Sequence, residues 1–183
     1  MFRGGKKVSF GIIRLGFHHV SIYPDEGIIL ENHGGEIIFR GGGHLGSGSA
    51  ISVGSKGTLD LGDNFGATAR LKLVCYDKIT FAENVRFGWD CMVMDTDFHS
   101  LKKLSGGHSK GHAPISIGRD NWFGNGCRLL KRTSTPDYIV VQGGTWLSGP
   151  VDAPNYSVVG SDSKVVVKAQ GVWRQVGDDS IDN

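Results

Sequence analysis

From Ile117 the chain reads IGRDNW-FGNGCR-LLKRTS-TPDYIV-VQGGTW-LSGPVD, consecutive hexapeptides that end at Asp152. The leading positions 117, 123, 129, 135, 141 and 147 hold Ile, Phe, Leu, Thr, Val and Leu. The fifth slot is small or β-branched at Cys127, Thr133, Ile139 and Thr145. Upstream, FAENVR-FGWDCM-VMDTDF repeats the pattern with Phe81, Phe87 and Val93 leading and Cys91 fifth. Further back the phase loosens, although LGSGSA from Leu45 and the pair Leu59 and Phe65 still carry it.

A period of six fits neither a helix nor an ordinary strand. No window places apolar residues at i, i+3, i+4 and i+7 without a glycine interrupting, so helices are not expected. A β-sandwich needs period-two alternation over longer strands than IIL at 28–30 or LKLV at 71–74. Hexapeptides instead read as the flat sides of a triangular coil, about 18 residues per turn, that stacks as a solenoid. The leading residue points into the prism and the fifth fills the space beside it. Gly and Asn serve corners that need positive φ. The fold class is therefore all-β, a parallel β-helix. Its expected extent is residues 28–168, after an N-terminal segment at 1–27 and before a C-terminal tail at 169–183.

Composition agrees. Glycine accounts for 29 of the 183 residues, roughly double its usual share of about 7%. A net charge of +2 lacks the basic excess of a nucleic-acid binder, so no nucleic-acid partner is expected. Cys75, Cys91 and Cys127 form no CxxC pair, which suits a reducing compartment. Cys91 and Cys127 occupy inward slots and read as core fillers. No apolar run approaches the ~18 residues of a membrane span. The opening MFRGGKKVSFGIIRLGF is interrupted by Arg14 and lacks a leader's small-residue cleavage site. The expected location is the cytoplasm.

One stretch leaves the repeat. Residues 99–114, HSLKKLSGGHSKGHAP, are rich in Gly, Ser, Lys and His and follow directly on MDTDF. An excursion of this length from a compact solenoid is usually functional or disordered, and its point of departure is where chemistry is expected.

Three segments resemble the hexapeptide-repeat acyltransferases. They are ITFAENVRFGWDCMVMDTDFH at 79–99, PISIGRDNWFGNGCRLLK at 114–131 and APNYSVVGSDSKVV at 153–166. The second is similar to the family's P-I-x-I-G-x-x-x-W-I-G core. The overall look is closest to members that acetylate sugars of bacterial surface polysaccharides. The resemblance implies a left-handed helix, a homotrimer with sites between subunits, and acetyl-CoA as co-substrate with no metal. The implied activity is transfer of an acetyl group to a sugar hydroxyl of a cell-surface polysaccharide or its precursor. A sugar amine as acceptor, or a non-catalytic β-helix module, stays open as an alternative.

Residue by residue, His99 falls where the family has its general base. A sugar hydroxyl must lose its proton as it attacks a thioester, and a histidine, with an unperturbed pKa near 6.5, suits the task. Asp97 is the preferred partner to orient it. Asn125 matches the residue whose backbone N–H meets the oxyanion. Trp122, Gly124, Gly143, Gly144, Ser148 and Lys164 match acyl-CoA positions, although the family's Thr-Lys step is Ser148-Gly149 here. Asp77 and Asp95 are the acceptor-site candidates. His108 and His112 are four apart in a Gly/Ser loop, which gives no helical face to hold a metal. Residues 113–183 contain no histidine, so the three-histidine zinc site of β-helical carbonic anhydrases has no supply.

Overall fold

The computed structural model describes residues 9–99, 108–161 and 165–171, and no helix occurs among them. The chain is a left-handed parallel β-helix of about six turns, a triangular prism with three sheets as its sides. Side 1 holds β1 (Ile13–Phe17), β4 (Gly43–Gly46), β7 (Phe65–Ala67), β10 (Arg86–Phe87), β13 (Trp122–Phe123), β16 (Ile139–Val141), β18 (Ser157–Ser161) and β19 (Val165–Gln170). Side 2 holds β2 (Ile28–Asn32), β5 (Ser49–Val53), β8 (Lys72–Cys75), β11 (Met92–Met94), β14 (Arg128–Leu130) and β17 (Trp146–Leu147). Side 3 holds β3 (Glu36–Phe39), β6 (Thr58–Leu61), β9 (Lys78–Phe81), β12 (Ile115–Ile117) and β15 (Ser134–Thr135). The chain visits them in the order 1, 2, 3. Pairing is parallel until β19 folds back antiparallel on β18. The first strand, β1, lies within residues 1–27 and already pairs with β4.

Leading and fifth slots fill the prism. Phe81, Phe87, Val93, Ile117, Phe123, Leu129, Val141 and Leu147 are buried, as are Cys91, Cys127, Thr133, Ile139 and Thr145. Phe65, Phe81, Phe87 and Phe123 form one aromatic stack through the middle coils, the last pair lying 4.6 Å apart and nearly parallel. Each such side chain contributes about 1.5–3 kcal/mol by its burial. Thr135 is the exception among leading residues. Only half-buried, it accepts the Gly118 N–H through its hydroxyl at 3.1 Å.

Coil length departs from the expected eighteen. Ile51 pairs with Leu73, 22 residues on, and Leu73 with Val93, 20 on. Only in the later coils, as at Leu129 and Leu147, is the step 18. Early strands such as β2 and β5 are five residues long and those from β10 to β17 two or three, so the prism narrows over these coils. Stacking needs only that inward residues meet. Longer sides and corners absorb the extra residues without breaking the ladder, and this blurs the period before Phe81.

Corners take up positive φ in columns. Between sides 3 and 1 these are Asn64, Asn84, Asp120, Tyr138 and Tyr156. The Asn64 amide donates to Asn84 Oδ1 and the Asn84 amide to Asp120 Oδ1, each at 3.0 Å, and the two tyrosine rings stack at 4.5 Å. Asn and Asp tolerate this backbone through local hydrogen bonds. The tyrosines show that stacking along the column sustains it too.

Candidate active site

The excursion leaves side 2 after β11 and returns to side 3 at β12, opening from the corner between them. Its neck is laced shut. The Asp97 N–H donates to Gly111 O at 2.7 Å, the Ala113 N–H to Asp95 O at 3.0 Å, and Thr96 and His112 form a bridge. Lys131 of the next coil binds the Asp97 carboxylate and reaches Lys110 O at 3.3 Å. His99 is exposed at the end of this neck.

The two acids before His99 behave differently from expectation. Asp95 is fully buried, and its oxygens accept the Tyr76 and Asp77 N–H groups at 2.8 and 2.9 Å. Burial pushes its pKa up against the pull of those bonds. It braces the preceding coil and presents no oxygen to an acceptor, which corrects its assignment as an acceptor-site residue. Asp97 faces Lys131, so the orienting role expected of it is not seen among the described residues. Asp77 pairs with His112 Nδ1 at 2.8 Å and lies 3.9 Å from Lys110 Nζ. Its carboxylate fastens the returning arm of the excursion, a link that no sequence pattern signalled.

The tryptophan side of the site sits elsewhere. Asn125 and Gly126 turn the corner from β13 on side 1 to β14 on side 2. Here Gly88, Trp89, Trp122, Gly124, Asn125 and Gly143 help line a groove of about 550 Å³. Glycine is required for close approach. A Cβ on Gly88 would lie 2.9 Å from Asn125 N, and one on Gly124 would lie 2.6 Å from Gly143 N. Gly144, with φ +75°, turns the same corner one coil on, its N–H donating to Asn125 O at 2.8 Å. The Gly124 and Gly126 N–H groups are taken by Val141 O and Trp89 O, whereas the Asn125 N–H between them has no acceptor among the described residues. An unclaimed amide at a groove wall is what stabilisation of an oxyanion requires. Gly88 and Trp89 were not foreseen; their sequence signal is the FGWD unit lying one coil below WFGN.

Behind the groove lie the two thiols. Cys91 points its sulfur at Gly124 O, 3.1 Å away, and Cys127 at Gln142 O, 3.2 Å away. The Cys127 contact and burial raise the Cys91 pKa, so it is a neutral packing group.

The structure thus brings Trp122, Gly124, Asn125, Gly143 and Gly144 together at one corner of the prism. His99 stands at another corner, with the whole width of side 2 between. Ser148, which follows β17 on side 2, is exposed on the His99 edge and away from the groove. Lys164 lies outside the described residues.

No family model and no curated protein matches the chain. Among solved structures it is similar to the polySia specific acetyltransferase NeuO, at 14% identity and a TM-score of 0.53, over 84% of this chain and 70% of that one. It is also similar to the polysialic acid O-acetyltransferase OatWY, at 16% identity and a TM-score of 0.50, over 84% of this chain and 69% of that one. The likeness is one of fold, and the chain shares the hexapeptide-repeat parallel β-helix of these acetyltransferases.

Proposed function

We propose that the chain is an acetyl-CoA-dependent acetyltransferase acting on a sugar hydroxyl, as a homotrimer of cytoplasmic subunits. The observation that carries this reading is the groove at Trp122, lined by Gly88, Gly124, Asn125 and Gly143, where the Asn125 nitrogen lies beside Gly88 and its N–H has no acceptor among the described residues. The acyl arm of the donor lies along these glycines with its thioester carbonyl oxygen at the Asn125 N–H. His99 takes the hydroxyl proton as the oxygen attacks the thioester carbon. The oxyanion collapses, the C–S bond breaks, and CoA leaves as the thiol while the sugar ester forms.

The separation of the two half-sites supports a trimer. His99 and Asn125 flank side 2, so a three-fold arrangement with side 2 inward sets the His99 corner of one copy against the Asn125 corner of the next. One outward column of side 2, Val74, Met94 and Leu130, is apolar and fits that role, and Trp146 is 60% exposed in the neighbouring column with Lys72, Met92 and Arg128. The names of the similar structures, both acetyltransferases of polysialic acid, support a glycan acceptor.

The test is a panel of neutral and acidic sugars offered with acetyl-CoA, reading thiol release and ester formation by mass. Release above the hydrolysis background with at least one sugar is expected. Binding of CoA without transfer to any sugar favours the non-catalytic module.

A further inference from the structure

The corner from side 1 to side 2 recurs in each coil, and the Asn125 turn is its fifth copy. It takes two residues in the second coil, 47–48, and four in each of the next three, 68–71, 88–91 and 124–127. The first copy, 18–27, takes ten. The surplus climbs the corner as a strap. Tyr23, from the first coil, donates its hydroxyl to the Asp90 carboxylate in the fourth. That reach spans three strand spacings, roughly 14 Å.

Every coil it passes holds the strap. In the second, the buried Ser47 hydroxyl accepts the Glu26 N–H at 2.7 Å and donates to Pro24 O at 3.1 Å. The Gly48 N–H donates to Gly27 O at 2.8 Å, and a Cβ on Gly48 would lie 2.6 Å from Glu26 Oε2. In the third, the Arg70 guanidinium grips Glu26 with two bonds, at 2.8 and 3.2 Å, and lies 4.7 Å from the centre of the Tyr23 ring. In the fourth, besides the Asp90 bond, the Tyr23 ring stands 6.3 Å from that of Trp89. A loop that merely joined β1 to β2 would need none of these holds. Their common result is that Tyr23 is fixed beside Trp89. Gly88 and Trp89 are the lowest residues of the Trp122 groove, whose other lining residues belong to the fifth and sixth coils.

We infer that Trp89 is the end wall of the groove that limits the donor's acyl group to acetyl, with Tyr23 as the positioning residue behind it. The inference rests on the proposed function for one point, the place of the thioester carbonyl at the Asn125 N–H. From there the donor climbs past Gly124 and Gly143, and the acyl carbons point down to the fourth coil. One coil step is about 4.8 Å. Contact between a methyl carbon and the indole takes about 3.5–4.0 Å of it. A butyryl chain, two carbons longer, meets the ring unless Trp89 moves, and Tyr23 occupies the side to which it would move.

The experiment compares acetyl-, butyryl- and unacylated CoA on the full-length chain, by calorimetric affinity and by thiol release with an accepted sugar. The parent should favour acetyl-CoA over butyryl-CoA by at least about tenfold, as excess methylenes at a closed wall dictate. Tyr23→Ala removes the backing, so the butyryl-to-acetyl ratio should rise about tenfold in affinity and in kcat/KM. Affinity for unacylated CoA should hold, because the remainder of the donor lies in higher coils. Tyr23→Phe keeps the ring and loses the Asp90 bond, so its ratio should fall between those of the parent and Tyr23→Ala. Where Tyr23→Ala lowers the melting temperature, Tyr23→Phe carries the test. A parent that takes butyryl-CoA as well as acetyl-CoA would overturn the inference. So would an unchanged ratio in both variants, or a loss in them that is equal for all three ligands. An acetyl preference in binding that Tyr23→Ala relaxes, with no transfer to any sugar, sinks only the transferase reading. Transfer from acetyl- and butyryl-CoA at equal rates sinks only this one.

Discussion

His99 is the residue on which the proposed chemistry turns, and its surroundings simplify its test. It is exposed at the end of the loop neck, away from the packed prism. Removing it should leave the core, and so the melting temperature, nearly unchanged. General-base help is worth about 10²–10⁴-fold, so His99→Ala should lower kcat/KM by that factor with CoA affinity preserved. Near-native turnover would shift the role to His112, which already has a carboxylate partner in Asp77. His99 is singled out in the sequence because DTDFH precedes a break in the repeat. Asp95 was misread for the same reason: a carboxylate next to a proposed base looks like chemistry, and only its burial against Tyr76 and Asp77 N–H shows a brace.

At the scale of an element, the corner between β13 and β14 decides whether a groove exists. Its geometry depends on glycines in three coils, Gly88, Gly124 and Gly143, whose backbones approach too closely for a Cβ. Gly88→Ala puts a methyl 2.9 Å from the Asn125 nitrogen, so the corner must shift or the amide is covered. Overpacking of this kind costs about 1–3 kcal/mol. The larger effect should be on turnover, at least tenfold down per folded molecule, since a displaced donor no longer meets the oxyanion. Stopped-assay rates normalised to folded fraction check this. A stable Gly88→Ala chain with full turnover would remove the Asn125 amide from the mechanism. The glycines themselves are visible in the FGWD, FGNG and VQGG units. That they stack was not, because the excursion makes the step from Arg86 to its neighbour Trp122 36 positions long.

For the whole molecule, the two half-sites on opposite edges of side 2 make a mixing experiment decisive. His99→Ala and Gly88→Ala chains, each weak alone, should complement when unfolded together and refolded. With random assembly of a trimer, a site needs an intact His99 from one copy and an intact groove from the next, which occurs about a quarter of the time. Recovery near that fraction, with a scattering mass near three times 19.7 kDa, is the expected result. A monomer of full activity, or no recovery from a mixed trimer, would show that one chain completes its own site.

The sequence by itself determined the class of fold, the inward positions and the place where the coil opens. These depend on a local rule, an apolar residue every sixth place with small or turn-forming residues between, and that rule survives without knowing what lies above or below. Coil length was legible only where the sides shrink to two or three residues, because longer sides and corners change the count without disturbing the stack. Tertiary structure alone decided which residues share a column. Arg14, His44, Arg86 and Trp122 become neighbours through steps of 30, 42 and 36 residues along the chain. His99 and Asn125, only 26 positions apart in sequence, end a full side of the prism apart. In a solenoid, contact is set by the summed lengths of every coil between two residues, and no window of sequence contains that sum.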